Sequence, residues 1–301
     1  MLLDTPSLYF RAFFGVPDSF KAPDGSPINA VRGLLDFIAR LVTDRSPTSL
    51  VAAMDADWRP AFRVAAIPSY KAHRVAVANE EEVPDALVPQ VAIIEDVLEA
   101  LGVPVIGVEG CEADDVIGTL ASTSTVPVDV VTGDRDLFQL VDDSRGVRVL
   151  YTARGVGRHD VVDEAWVHAK YAIPGRAYAD FATLRGDPSD GLPGVPGVGD
   201  KTAAALITKY GSLAGLLDAL DADDTGMPAG ARLKLAAARE YLDVAPVVVA
   251  VARDAPIPPY DATIPATPKD ADRLLELSER WGLDSPLNRV LNAFAAVHAG
   301  R

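Results

Sequence analysis

The chain has 301 residues, enough for one large or two modest domains, and its formal net charge is −15, from 28 Lys and Arg against 43 Asp and Glu. Apolar residues make up 49% of the chain and charged residues 24%, so the composition excludes a protein that is disordered throughout. The single cysteine, Cys111, excludes a disulfide scaffold and favours a reducing compartment.

The sequence pattern contains no segment suited to crossing or being exported through a membrane. The longest strongly apolar run, residues 244–252, contains Pro246 and is far shorter than the roughly 20 residues that a membrane helix needs. Asp4, Pro6 and Arg11 interrupt the region where a signal peptide would be apolar. We therefore expect a cytoplasmic protein with no membrane partner.

Alternating strand-like and helix-like segments in the first half predict an α/β fold with a central, mostly parallel sheet flanked by helices. In chain order, the strand-like runs are residues 1–3, 50–54, 103–108, 128–132 and 147–150, and the helix-like stretches are 30–42, 86–101 and 112–122. After about residue 175 the pattern is mainly helical, apart from the turn-rich residues 186–199 and the apolar run 247–251, and it closes with an amphipathic C-terminal helix at 271–281. We accordingly expect an α/β core over residues 1–175 and a mainly helical region over residues 176–301.

Acidic side chains follow nearly every strand-like run, at the point where the strand ends. They are Asp4, Asp55, Glu112, Asp114, Asp115, Asp134 and Asp136, and a later turn adds Asp187 and Asp190. Because ligands bind at the carboxyl ends of parallel strands, we expect these side chains to converge on one rim of the sheet. Each like-charged pair a few ångströms apart costs on the order of several kcal/mol without a counter-charge.

Divalent cations are the counter-charge that this donor set favours. Carboxylate oxygens without a Cys or His pattern suit Mg²⁺ or Mn²⁺ and do not suggest zinc. Nine carboxylates exceed the needs of one octahedral ion, so we predict two ions roughly 4 Å apart, which serve phosphodiester hydrolysis, and leave a third ion open. Taken singly, Glu112, Asp115 or Asp136 would more often cap a helix, but capping does not account for acids at four strand ends.

The acidic net charge argues at first sight against a nucleic-acid partner. Residues 59–74 (RPAFRVAAIPSYKAHR), however, contain Arg59, Arg63, Lys71 and Arg74 and no acid. A local basic surface for an anionic partner is therefore compatible with the overall charge.

A glycine-rich turn at residues 191–211 (GLPGVPGVGDKTAAALITKYG) is the second strong signal. Its glycines permit a tight hairpin with positive φ angles, and the following helix offers free backbone N–H groups to an anion. This pattern is that of a helix-hairpin-helix, which grips DNA phosphates without reading bases; a plain helix connector is the alternative for the segment taken alone. The residues expected to contact DNA here are Gly194, Gly197, Gly199, Lys201 and Thr202.

Taken in order, six blocks of the sequence resemble those of the 5′-nuclease family of flap endonucleases and 5′–3′ exonucleases, which includes the domain that begins bacterial DNA polymerase I. The blocks are LLDTPSLYFRAFF, MDADWRPAFR, YKAHR, CEADDVIGTLA, TGDRDLFQLV and LRGDPSDGLPGVPGVGDKTAAALI, and they cover most of residues 1–211. The resemblance implies a PIN-like 5′-nuclease fold in a free-standing nuclease. It also implies that Asp4, Asp55, Glu112 and Asp114 hold one ion, that Asp134, Asp136, Asp187 and Asp190 shape the second, and that Asp115 bridges or supports both.

The resemblance further implies how a substrate is held. A helical arch for the 5′ single strand should occupy about residues 71–89, with Lys71 and Arg74 at its base contacting the scissile phosphate; the alternative for these two residues is an ordinary exposed basic pair. The other implied contacts are Tyr70 with a base, Arg11 and Arg63 with phosphates, and backbone carbonyls near 194–199 with K⁺.

We therefore expect a monomeric, structure-specific 5′ nuclease of replication or repair. Its substrates would be DNA with a 5′ flap, a 5′ end or a nick, handed over by replication or repair proteins, and its products a 5′-phosphate and a 3′-hydroxyl. One rival is a haloacid-dehalogenase-like phosphatase, because Asp55 and Asp57 follow a strand and residues 186–190 read Gly-Asp-x-x-Asp. The other is a non-catalytic branched-DNA binding module, which would keep the hairpin but have no use for the carboxylates.

Overall fold

The computed structural model describes residues 1–75 and 81–299, and within these residues six strands form one sheet. The strands are β1 (Leu2–Asp4), β2 (Val51–Ala53), β3 (Val105–Ile106), β4 (Val128–Thr132), β5 (Val147–Tyr151) and β6 (Asp160–Val162). Their order across the sheet is β3-β2-β1-β4-β5-β6, and β6 alone runs antiparallel to its neighbour among these six.

The mostly parallel sheet and the five strands predicted from the sequence are confirmed. The run at 103–108 shortens to the two residues of β3, and the run at 128–132 matches β4 residue for residue. Strand β6 was not predicted, because three residues between charged neighbours give too short a pattern to recognise.

Both faces of the sheet are buried, and successive residues of a strand enter different cores. Leu2 and Val130 belong to the core on one face, whereas the next residues, Leu3 and Val131, belong to the core on the other. Strands covered on both faces are apolar along their whole length instead of alternating with polar residues. This is why the strands could be recognised as short Val- and Ile-rich runs.

Helices cover both faces of the sheet. In chain order they are α1 (Thr5–Gly15), α2 (Asn29–Arg45), α3 (Ala61–Ala66), α4 (Val88–Leu101), α5 (Ala113–Thr123), α6 (Glu164–Tyr171), α7 (Tyr178–Arg185), α8 (Asp200–Tyr210), α9 (Leu213–Asp221), α10 (Ala229–Ala237), α11 (Arg239–Val249), α12 (Ala271–Trp281) and α13 (Asp284–Ala299). Helices α1, α2, α4, α12 and α13 contribute to the core that contains Leu3, and α5 to α11 to the core that contains Leu2. None of the helices in the described residues is both long and apolar enough to span a bilayer.

The predicted helices at 30–42, 86–101 and 112–122 are present as α2, α4 and α5. The apolar run 247–251, which was set apart from the helical pattern, is the last turn of α11 and the residues that follow it. Buried Leu242, Ala245 and Val248 recur at intervals of three residues, so helical periodicity governs this run.

The two C-terminal helices pack on helices that cover the sheet instead of extending the helical region, α12 against α4 and α13 against α2. Helix α12 is the amphipathic segment expected at 271–281, and α13, which was not delimited from the sequence, packs against α2. The division of the chain at residues 175 and 176 stays a prediction.

A close approach between α5 and the segment after α11 generates a stability prediction. A Cβ atom added to Gly118 would lie 2.5 Å from the carbonyl oxygen of Ala252 and 2.7 Å from a methyl group of Val251. We expect Gly118→Ala to lower the free energy of unfolding by about 1–3 kcal/mol, because the backbone of Ala252 must move. Urea unfolding followed by circular dichroism measures the change.

Gly230→Ala is the matched control. Gly230 also lies in a helix, but nothing stands within 4 Å of an added Cβ. This change should be neutral or raise the free energy of unfolding by up to about 1 kcal/mol, since it restricts only the unfolded chain. Equal effects of the two substitutions would contradict the close approach.

Candidate active site

A cavity of about 470 Å³ opens at the carboxyl ends of the parallel strands. Among the described residues, the carboxylates that line it are Asp4, Asp55, Glu81, Glu112, Asp114, Asp134 and Asp187. Lys71, Arg74 and Arg135 are the basic residues in its lining. The structure thus brings most of the predicted acidic set to one rim, as the sheet topology requires.

Asp4 ends β1 and begins α1. Its Oδ1 accepts a hydrogen bond from the Ser7 backbone N–H at 3.1 Å, and its Oδ2 accepts one from the Thr132 hydroxyl at 2.5 Å. Burial raises the pKa of Asp4 to about 7, and the nearby charges of Asp134 and Asp55 act in the same direction. The first strand therefore places a carboxyl group whose charge is strongly disfavoured.

Three further carboxyl groups, those of Asp55, Asp114 and Asp136, also have pKa values raised by burial. Burial raises the pKa of Asp55, whose Oδ1 accepts the Ala113 backbone N–H at 2.7 Å. Burial also raises the pKa values of Asp114 and Asp136 well above the ordinary range, reinforced for Asp114 by Asp4 and for both by Asp134. A divalent cation would relieve the repulsion that these groups impose on one another.

Glu112 is held by cations of the chain itself. The Lys71 ammonium bonds Glu112 Oε2, while the Tyr70 hydroxyl at 2.7 Å and Arg63 Nη1 at 3.1 Å donate to Oε1. Burial opposes the charge of Lys71, but Glu112 holds the pKa of Lys71 above its ordinary value. Lys71 is thus a permanent positive charge at the floor of the cavity.

The donor set fits a hard divalent cation, although in this arrangement no three Asp, Glu, His or Cys groups among residues 1–75 and 81–299 stand close enough together to form a ready-made site. Among the described residues, the lining offers carboxylate oxygens, which Mg²⁺ and Mn²⁺ favour, and contains no sulfur or imidazole. Asp136 Oδ1 is buried and has no hydrogen-bond partner within the described residues. The hydrogen-bonding capacity of this oxygen is therefore unused within that part of the chain.

Asp136 and Asp190 stand behind the lining residues. Asp190 accepts Arg74 Nη2 at 2.9 Å, and its backbone carbonyl accepts the Lys71 N–H at 2.9 Å. Asp187 accepts the Ser189 backbone N–H at 2.9 Å. The turn at 187–190 is thereby fastened to the start of the segment that was predicted to form the arch.

Asp115 does not face the cavity, and its assignment as a direct metal ligand is corrected. Its side chain is fully buried in a two-pronged ion pair with Arg63, with N–O distances of 2.6 and 2.8 Å. The backbone N–H groups of Ala252 and Glu112 occupy its remaining acceptor sites at 2.8 and 3.1 Å. Of the two roles predicted for Asp115, bridging the ions or supporting their sites, only support remains. Its hydrogen bonds hold Arg63 and the backbone of Glu112 in place.

The same geometry corrects the predictions for Arg63 and Tyr70. Arg63 is 3% exposed, and its Nε donates to the Val248 carbonyl at 3.1 Å, so no donor faces a DNA phosphate. Tyr70 is 4% exposed, and its hydroxyl bonds Glu112, so its ring is not available to stack on a base. The sequence assigned both residues to DNA because it could not show that they are buried, with Arg63 bonded to the Val248 carbonyl of α11 and Tyr70 bonded to Glu112.

Arg11 remains a candidate for a phosphate contact. It lies beside the end of β4, where a Cβ added to Gly133 would be 3.4 Å from Arg11 Nη2. Its Nε is buried without a hydrogen-bond partner in the described part of the chain. Arg11 therefore has a donor that an incoming acceptor could use.

The glycine hairpin has the backbone conformation that the sequence indicated. Gly194 and Gly197 have φ angles of +63° and +75°, and a Cβ on Gly194 would lie 2.5 Å from the backbone of Arg185. Gly199 precedes α8, whose first turn carries exposed Lys201 and Thr202. DNA and K⁺ contacts at this hairpin stay predictions.

Lys234 is a residue at the hairpin that sequence reasoning missed. Its ammonium, carried by α10, donates to the Gly197 carbonyl at 2.7 Å. Trp58 and Glu81, which line the cavity, and Gln139, which bonds the Asp136 carbonyl, were missed as well. Trp58 and Gln139 lie within the blocks MDADWRPAFR and TGDRDLFQLV, whereas Glu81 and Lys234 lie in none of the six blocks. None of the four was singled out, because their contacts arise only in the tertiary fold.

The arch predicted for residues 71–89 falls partly on residues 76–80, which lie outside the described residues. Before residues 76–80, Lys71 has a φ of +49° and residues 72–74 form one 3-10 turn. Val75 and Glu81 form an antiparallel bridge, and α4 starts at Val88. The helical arch stays a prediction.

Comparison with known proteins identifies the family. One family model, 5′-3′ exonuclease N-terminal resolvase-like domain, matches residues 1–172, and another, 5′-3′ exonuclease C-terminal SAM fold, matches residues 173–272. The chain belongs to the 5′–3′ exonuclease family. The haloacid-dehalogenase-like alternative is therefore set aside.

Relatives in this family align along nearly the whole chain. A 5′-3′ exonuclease of Streptomyces coelicolor is 60% identical over 98% of this chain and 100% of its own length. A 5′-3′ exonuclease of Mycobacterium tuberculosis is 50% identical over 97% of this chain and 96% of its own length. DNA polymerase I of Mycobacterium bovis is 40% identical over 99% of this chain, which corresponds to 32% of that longer protein.

Solved structures share the 5′-nuclease fold. The T5 D15 protein, co-crystallised with metal ions, superposes with a TM-score of 0.64 at 17% identity, covering 99% of this chain and 98% of that one. Flap endonuclease-1 from Methanococcus jannaschii superposes with a TM-score of 0.63 at 14% identity, covering 100% and 92%. At these identities the likeness establishes the fold, which was expected as PIN-like and mostly parallel.

The buried pair of Arg63 and Asp115 generates the second stability prediction. We expect Arg63→Met to lower the free energy of unfolding by about 3–5 kcal/mol, because Asp115 would remain buried without its cation. The control is Arg40→Met, which breaks an exposed pair with Asp44 whose side chains are 59% and 37% exposed and should cost less than about 1 kcal/mol. Urea unfolding compares the two, and equal losses would contradict the assignment of Arg63 as a buried partner.

Proposed function

We propose that this member of the 5′–3′ exonuclease family is a structure-specific 5′ nuclease, acting both as a 5′-flap endonuclease and as a 5′–3′ exonuclease. It hydrolyses DNA phosphodiesters and leaves a 5′-phosphate and a 3′-hydroxyl. The observation that carries the proposal is the carboxylate cavity at the carboxyl ends of the parallel strands, with Lys71 and Arg74 in its lining. A non-catalytic DNA-binding module would have no use for this costly group of acids.

Two divalent cations, Mg²⁺ or Mn²⁺, are proposed as the cofactor. One would be held by Asp4, Asp55, Glu112 and Asp114, and the other by Asp134, Asp136, Asp187 and Asp190. When bound, such ions supply a water of lowered pKa and offset the charge on the leaving oxygen. The protein contributes the fixed geometry, since Asp4, Asp55 and Asp187 each accept a backbone N–H that restricts the carboxylate.

Lys71 and Arg74 orient the scissile phosphate in this proposal. The Lys71 ammonium bonds Glu112 and also reaches the Trp58 carbonyl at 3.3 Å, so its position is fixed from two sides. Arg74 donates to Asp190 and to the Ser189 carbonyl at 2.7 Å, and its side chain is 35% exposed. Both cations are therefore held at the cavity in a geometry that suits donation to the non-bridging oxygens of a phosphodiester.

DNA duplex would be held by the hairpin at 194–199. The free N–H groups at the start of α8 and the ammonium groups of Lys201 and Lys234 suit a phosphate backbone and carry no base information. The enzyme would therefore select a 5′ flap, a 5′ end or a nick by structure. A cytoplasmic location, a monomeric state, K⁺ at the hairpin and delivery by replication or repair proteins belong to the same proposal.

Removing one carboxylate from each proposed ion site tests the reaction. We expect Asp114→Asn and Asp134→Asn each to lower kcat on a 5′-labelled flap by about 10³-fold, because several kcal/mol of charge stabilisation are lost. Affinity for the flap should change little, as measured by fluorescence anisotropy in Ca²⁺. Product lengths on a denaturing gel with Mg²⁺ or Mn²⁺ give the rates.

Glu279→Gln is the control for these substitutions. Glu279 is an exposed acid on α12, so the change has the same chemistry without touching the cavity. Its cleavage rate should equal that of the unmodified protein. Full activity in Asp114→Asn and Asp134→Asn would refute two-metal hydrolysis in this cavity.

The role of Lys234 is tested through salt dependence. Removing a single ammonium group that binds a DNA phosphate reduces the slope of log affinity against log salt by about 1. We therefore expect Lys234→Met to weaken binding to a flap duplex and to reduce this slope by about 1. Lys269→Met, which removes a 64% exposed ammonium beside Glu99, should leave the slope unchanged; identical slopes for both variants would remove Lys234 from the DNA interface.

A further inference from the structure

A segment of the helical half, residues 248–252, lies directly behind the carboxylate cavity; we call it the strap. It leaves the end of α11, and four buried side chains of the N-terminal half bond its backbone: those of Arg63, Asp115, Gln139 and Thr119. Arg63 donates to the Val248 carbonyl at 3.1 Å, and Asp115 accepts the Ala252 N–H at 2.8 Å. Gln139 makes two bonds to the strap.

Gln139 is 4% exposed and uses its whole amide group. Its Nε2 donates to the Asp136 carbonyl at 2.8 Å and to the Val249 carbonyl at 3.1 Å. Its Oε1 accepts the Val251 N–H at 3.1 Å. The orientation of the amide is determined by its partners, because two carbonyls require the NH₂ group and one N–H requires the oxygen.

One of these bonds ends on Asp136, which stands behind the residues that line the cavity. Asp136 begins the 3-10 turn Asp136–Leu140, and its carboxylate has a buried oxygen without a partner in the described residues. The bond from Gln139 fixes the Asp136 backbone, and the direction of the carboxylate follows from that backbone. Gln139 in turn is fixed by the strap.

We infer that Gln139 is a positioning residue for Asp136, and that through the strap it ties the geometry of the second proposed ion site to the helical half that carries the hairpin. This inference rests on the proposed function, since it concerns the ion that Asp136 would help to hold. Groups that orient metal ligands through hydrogen bonds typically contribute 10- to 100-fold to metal affinity.

Gln139→Met tests the inference, because methionine keeps the length of the side chain and removes both N–H donors and the acceptor. Mn²⁺ binding is measured by electron paramagnetic resonance of the free ion at a temperature where the protein is folded. We expect the affinity for Mn²⁺ to fall about 10-fold. On a 5′ flap, kcat should fall while KM changes little, since the hairpin is intact.

Thr119→Val is the matched control. Thr119 is also buried, and its hydroxyl bonds the same stretch of chain, accepting the Ala255 N–H at 3.0 Å and donating to the Ala252 carbonyl at 3.4 Å. It bonds no carboxylate-bearing residue through these contacts. We expect Thr119→Val to lower the urea midpoint and to leave Mn²⁺ affinity unchanged, which separates a positioning role from simple stabilisation.

A measurement on the unmodified chain covers the case in which Gln139→Met does not fold. If Asp136 and the strap are joined, Mn²⁺ should slow amide hydrogen exchange at Val251 more than at Ala255. Equal Mn²⁺ affinity in Gln139→Met and the unmodified protein, or no added protection at Val251, overturns the inference and leaves the nuclease proposal intact. Failure of the unmodified protein to bind Mn²⁺ and to cleave DNA removes both.

Discussion

Repulsion among carboxylates gathered at one edge of a sheet is the constraint on which the rest of this structure depends. Parallel strands deliver their terminal acids to the same rim, and burial raises the pKa values of Asp4 and Asp114, so the charges of these two groups are costly. Basic side chains of the protein offset part of this negative charge, and two of them, Lys71 and Arg63, bond Glu112. The cavity is consequently a place where a further cation lowers the free energy of the folded state and where a phosphodiester meets fixed positive groups.

The supports of this rim come from distant parts of the sequence. Arg63 on α3 and Asp115 on α5 form a buried pair that also holds the chain after α11. The turn at 187–190 is fastened to Lys71 and Arg74 through backbone and side-chain bonds. Residues before 175 therefore supply most of the acids, the turn at 187–190 adds Asp187 and Asp190, and the backbone of Val248 and Ala252 helps to hold Arg63 and Asp115.

The fold could be predicted from the sequence because its signals are local. Four of the parallel strands are short apolar runs with an acid of the site near their end, as in β4 with Asp134, and β5 is the exception. Strand position and acid position are therefore close together in the chain. Predictions from the sequence were wrong where the burial of a residue depends on segments that are far away in the chain. Arg63 resembled a free phosphate contact, yet its guanidinium is covered by Val248, which lies 185 positions later.

The same reasoning explains what was missed. Lys234 belongs to no motif, and Gln139 lies within the block TGDRDLFQLV but was not singled out there; the roles of both arise only when α10 and α11 pack against the turns that precede them. Strand β6 was missed because an antiparallel edge strand of three residues leaves no periodic pattern. Side-chain partners across long separations are set by tertiary packing, which a single sequence does not display.

The two edge strands of the sheet, β3 and β6, limit its tendency to pair with other molecules. β3 contains two residues and β6 three, so each border presents only a few unpaired backbone groups. Long, flat borders invite strands of neighbouring molecules to add on and begin fibrillar growth. By ending in such short strands, this sheet can remain strongly apolar on both faces and still offer little template for self-assembly at high concentration.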